Sequence, residues 1–149
     1  MSQAEIANLL QNNISEIVRV WTTAVRHDER IMSDGDLTEG GLIDHVPVML
    51  AEICELLRLD KEPTANNTHE ARVHAYTRYC QGYRARDLVR EVSLLRMTLI
   101  DHLSQGWPNH SHGFDTYINT SRAINLYLDE ELRYAISIYT EGTPREVKS

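Results

Sequence analysis

Five residues in one short span, His74, Arg78, Tyr83, Glu91 and Arg96, have the types and spacing of a charged contact between two helices. His74 and Arg78 are four apart and project from the same helix face. Gly82-Tyr83 makes a corner, after which a second helix carries Glu91 and Arg96 back across that face. Arg presents a planar fork to a carboxylate, so Glu91 is expected to sit between Arg78 and Arg96 as an inter-helix clasp. The same side chains are also the kinds that line a ligand or partner surface. As a buried charge partner, Glu91 is expected to hold about 2 to 4 kcal/mol of stability.

The seven histidines open other chemistries. His69-Glu70 has the His-acid order of a phospho-acceptor box, but Val73-His74 stands where a Thr-Pro step would follow, and neither His69 nor His74 has a nearby Lys-Gly. Phosphotransfer through His69 or His74 is therefore the weaker reading. His102, His110 and His112, with Asp115 beyond them, are of the right types for zinc, and a haem could take one axial His. No Cys pair and no His-Glu-x-x-His helix supports a metal, and adjacent loop histidines are more commonly solvated. There is no P-loop and no nucleophile elbow. Glu52 and Glu55 read as a solvated edge, and Asp129-Glu130-Glu131 as an exposed acidic face. Trp21, Tyr76 and Tyr79 could wall a pocket for a small apolar ligand, although aromatics at helical spacing are generally core.

The elements that must position these residues are helices. Apolar residues recur at helical spacing and strand-like alternation does not persist. A capping box, Ser2 with Glu5, starts a first helix with the stripe Ile6, Leu9, Leu10, Ile14, Ile17, Val18, Trp21 and Val25. Gly40-Gly41 is a break, and Asp44 is expected to cap a second helix with Pro47 in its first turn. The third runs from about Thr68 to Gln81, with Gly82 just past its end. The fourth covers Ala85 to Gln105, and Arg84 replaces the Asp or Ser expected as its cap, which predicts a looser corner. The fifth opens at Asp115 and carries Ile118, Ile124, Leu128, Leu132, Ala135 and Ile138. The expected architecture is all-α, an antiparallel bundle of four to five helices over residues 1–142, with 143–149 as a tail or linker.

The chain has 149 residues, 42% hydrophobic and 25% charged, with a formal net charge of -7. That suits one domain with one core. The negative balance argues against nucleic acid and against an anionic membrane surface. The N-terminus has no signal-peptide pattern and no apolar run reaches spanning length, so a cytoplasmic setting is expected. Cys54 and Cys80 are expected to be buried free thiols.

The pattern His74, Arg78, Gly82-Tyr83, Leu88-Val89, Glu91, Leu94-Leu95-Arg96 resembles the N-terminal domain of the RsbRD type, named after the RsbT co-antagonist proteins. Trp21, the Val46 to Leu57 helix and the Leu128 to Tyr139 segment extend the resemblance over most of residues 5–140. It implies an all-helical sensory or regulatory module at the front of bacterial signalling proteins, including stressosome-type regulators and cytoplasmic sensor histidine kinases. It implies no catalytic residue in this module, and no cofactor is expected. The expected function is to receive a signal or protein partner and pass a conformational change to an output domain, with the last helix as output rod and the chain as a homodimer.

Overall fold

The computed structural model describes residues 2–106 and 113–141, and every regular element among them is helical. The order is α1 (Gln3–Asn12), α2 (Ile14–His27), α3 (Glu39–Ile43), α4 (Val46–Leu59), α5 (His69–Cys80), α6 (Ala85–Gln105) and α7 (Phe114–Glu141). The expected all-α bundle is the observed class, built from seven helices among the described residues where four to five were expected. The expected tail, residues 143–149, lies outside the described residues.

Two elements account for the difference. The first expected helix is two, because Asn13 ends one and begins the next. Its side-chain amide donates to the Leu9 carbonyl at 2.7 Å and its backbone N–H to Leu10, which closes α1 one residue before α2 starts. The apolar stripe continues across this joint, so periodicity alone does not reveal it. The Gly40-Gly41 break is itself a short helix, α3, capped by the Thr38 hydroxyl accepting from the Gly41 amide. Asp44 is not the cap of α4. It takes a positive φ of 42°, and His45 precedes the helix, with Pro47 tolerated in its first turn.

One apolar core joins all seven helices. α1 lies on α4, α2 on α6 and α4, and α7 on α5 and α6, while α4 also reaches α5 and α7. Trp21, Met49, Leu95, Leu99, Ile124 and Tyr127 are among its fully buried members. Burial at roughly 25 cal/mol per Å² holds helices that would be marginal alone. Ile118, expected in the core, is more than a third exposed, and Leu132 is half-buried. The buried stripe of α7 instead runs through Thr120, Ile124, Tyr127, Leu128, Glu131, Tyr134, Ala135 and Ile138. Cys54 is buried as expected, but Cys80 is exposed at the last residue of α5.

The corner between α5 and α6 determines how His74, Arg78 and Glu91 meet. Gly82 has φ +79°, and the Tyr83 N–H reaches back to the Arg78 carbonyl at 3.0 Å, the bond pattern of a left-handed helix stop. A Cβ at Gly82 would meet nothing within 4 Å, so the need for glycine is purely conformational. Gly82→Ala is therefore expected to cost about 1 kcal/mol, read as a lowered denaturation midpoint with unchanged helix content. The corner is not loose despite Arg84. Its N–H donates to Ser33 Oγ at 3.1 Å, and its guanidinium pairs with the buried Asp87. Ser33, from the loop after α2, thus ties down the residue that opens α6.

Candidate functional site

α5 is an unusual core helix. Its buried residues are Ala71, His74, Ala75 and Arg78, so the two alanines allow close approach while the polar pair points into the interior. Burying such groups is costly unless each is paired. The partners come from the helices packed around α5. His74 Nδ1 lies 2.5 Å from Glu131 Oε2 of α7, and His74 Nε2 lies 3.2 Å from Glu91 Oε1 of α6. The Arg78 Nε–H donates to both Glu91 oxygens at 3.0 and 3.2 Å. Its terminal nitrogens donate to the carbonyls of Gly41 and Leu42 in α3 and to Gln81 Oε1. The guanidinium also stands over the Tyr83 ring, 4.9 Å from its centroid. From α2, Trp21 Nε1–H donates to the Glu91 backbone carbonyl at 3.1 Å.

His74, Arg78, Glu91 and Glu131 are each 1% exposed or less. Arg78 and a protonated His74 balance the two carboxylates, so the buried group is neutral as a whole. Burial by itself would push the His74 pKa down. The charge and hydrogen bond of Glu131, with the bond to Glu91, outweigh it and push the imidazole up to about 9. Burial would raise Glu91, but its bond to His74 and the charge of Arg78 hold it below the usual carboxylate range. Burial, then the Glu91 charge, push the Tyr83 hydroxyl up and keep it neutral. This arrangement can hold a proton and lock α7 to α5 and α6. Neither ring nitrogen of His74 opens onto solvent, which denies a phosphoryl donor access to it.

Comparison with known families decides what this helical assembly is. A model of the RsbT co-antagonist protein rsbRD N-terminal domain matches residues 15–147. The chain belongs to that family. No curated protein and no solved structure matches it. Membership makes this RsbRD-type domain a regulatory module of stressosome signal transduction, in a family of non-catalytic domains that work through protein partners. Among the described residues no helix is long and apolar enough to cross a membrane.

Within the RsbRD-type domain, four of the five residues singled out from sequence meet: His74, Arg78, Tyr83 and Glu91. Arg96 does not join them. It is five residues further along α6, where it bonds Asn125 Oδ1 at 2.8 Å and Asp129 Oδ1 at 3.1 Å on a partly exposed edge. The second cation at Glu91 is His74 instead. Sequence reasoning also missed Glu131, taken for part of an exposed acidic face. Its signal is its register: it falls on the same stripe as Ile124, Leu128, Ala135 and Ile138, and a lone acid on a core stripe needs a cationic partner.

Glu52 is likewise not on a solvated edge. It accepts from the Tyr127 hydroxyl at 2.5 Å and from the Glu70 amide at 3.1 Å, and burial raises its pKa. Glu55 is largely exposed beside Arg58. His69, the first residue of α5, is partly buried. His102 lies in the last turn of α6 on a groove against α2, while His110 and His112 lie outside the described residues. Among the described residues no three His, Cys, Asp or Glu side chains converge as metal ligands. Trp21 is used in the α2–α6 contact, and Tyr79 packs edge-to-face on Tyr139 of α7, ring centroids 5.1 Å apart.

Proposed function

We propose that this domain is the input module of a bacterial cytoplasmic signalling protein, a sensor histidine kinase or a stress-response regulator, and that it passes a conformational change to an output domain through α7. The observation that carries this reading is the His74–Glu91–Glu131 joint, which fastens α7 to α5 and α6 by charge as well as by apolar packing. Regulation needs an element with discrete arrangements that a signal can bias. A charge cluster in a low-dielectric interior has that character, because a half-broken arrangement leaves an unpaired ion. α7, the longest helix at 28 residues, is the output rod.

Paired rods transmit such movements, so the domain acts as a homodimer. Native mass spectrometry and light scattering at roughly tens of micromolar test this, since dimer population follows protomer concentration. The expected species is a dimer carrying no added mass. A strictly monomeric protein contradicts the paired rod, and a bound metal or haem would replace this reading with a ligand sensor.

A further inference from the structure

Among the described residues of this acidic chain, four arginines gather on one surface. Arg30 and Met32, from the loop after α2, line a shallow depression together with Arg84, Arg86 and Arg90 at the start of α6. Two largely buried carboxylates serve these arginines, and Asp28 faces Arg30 at 4.0 Å as well as Arg90. Asp87, fully buried, takes the Arg84 guanidinium, and Asp28 takes the Arg90 Nε–H at 2.7 Å. Arg30 and Arg86 are exposed. The outward face therefore has four guanidinium groups over two covered carboxylates, on a chain of net charge -7.

Met32 lines the same depression and is 72% exposed. An exposed apolar side chain is unremarkable alone, but one that shares a depression with four arginines offers an adaptable apolar contact beside a set of carboxylate forks. The loop that presents it is fixed. The amides of Met32 and Ser33 both donate to Asp87 Oδ2, at 3.3 and 3.0 Å, so the surface is organised before any partner arrives.

We propose that this depression is the docking site for an acidic segment of a partner protein. Carboxylates engage Arg30, Arg84, Arg86 and Arg90, and one apolar side chain of the segment covers Met32. The chemistry favours a peptide over a nucleic acid. A phosphate backbone needs an extended basic stripe, and single strands need aromatic platforms, whereas this patch is small, has no aromatic lining and belongs to an acidic protein. The inference rests on the reading of the domain as a protein-binding regulator and names the surface used.

The test is fluorescence anisotropy of the full chain with dodecapeptides in which Glu and Asp surround a single Leu. Controls are the same peptides with Lys for the acids and a single-stranded DNA of equal charge. The expected result is selective binding of the acidic peptides that weakens as salt rises. Arg30→Glu with Arg86→Glu should weaken it at least about tenfold, and Met32→Ser several-fold. Arg19→Glu with Arg133→Glu, remote from the patch, should leave it unchanged, with thermal melts confirming that each variant is folded. Absence of binding, insensitivity to the patch substitutions, or tighter binding of the DNA would overturn the proposal. A dimeric, ligand-free protein that ignores every peptide would overturn the docking site and leave the regulatory reading standing.

Discussion

Glu91→Ala is expected to lower the free energy of unfolding by about 2 to 4 kcal/mol, a large loss for a single side chain. The carboxylate is fully buried and serves two cations that are themselves buried. Its removal leaves Arg78 with one fork unfilled and His74 with one carboxylate where it had two. Neither can turn to water, so the cost is that of uncompensated charge rather than of one lost contact. Urea denaturation measures it as a shift in midpoint at constant slope. Arg96→Ala provides the contrast. Its ion pair with Asp129 is partly exposed and screened, so the expected loss is under about 1 kcal/mol. A Glu91 loss below about 0.5 kcal/mol would mean that the clasp does not carry the fold.

Stability is also expected to fall as pH rises from about 6.5 through 9, with His74 responsible. The folded protein holds the imidazolium to about 9 against an ordinary value of 6.5. A group whose pKa is raised by folding contributes fully below its unfolded value and loses that contribution as pH rises through the folded one. The shift corresponds to about 3 kcal/mol, absent above that window. His74→Gln should flatten this limb while lowering stability near neutrality. Burial also raises Cys54, to about 11, and the buried tyrosines, but those groups act only above about pH 9 and leave the window to His74. Glu91 has the opposite sign. Its depressed pKa contributes above the usual carboxylate range and is lost as pH falls through it. Thermal melts at intervals from about pH 3 to about pH 10, with wild type and His74→Gln in parallel, should separate the acid limb of Glu91 from the alkaline limb of His74.

How much of this was legible depended on whether local pattern or tertiary partner decides a residue's place. α6 begins and ends where its apolar repeat and the flanking Gly82 and Gly106 say it should, because those signals act within a turn of the chain. The His74–Arg78 face was legible for the same reason. The break at Asn13 was not, since Leu10, Ile14 and Ile17 keep one stripe across it and only the bonds of Asn13 to Leu9 and Leu10 separate the helices. From sequence alone Glu131 and Glu52 read as surface acids, because charge usually signals water. Their burial is decided by His74 and Tyr127, each far away in sequence. Arg96 failed for a geometric reason. It lies five residues beyond Glu91, rotated off the core stripe of Leu88, Glu91, Val92 and Leu95. The loose corner expected at Arg84 was tightened by Ser33, a residue from another segment that no local rule includes.

The central claim is that a charged His74, held between Glu91 and Glu131, fastens α7 to the rest of the domain. Nuclear magnetic resonance of the imidazole nitrogens, titrated across neutral and alkaline pH, tests it most directly. The predicted result is that both His74 nitrogens are protonated at pH 7 and that the ring releases its proton near pH 9. A ring already neutral at pH 7, with one nitrogen bare, would contradict the charged joint and with it the proposed coupling of α7 to the bundle.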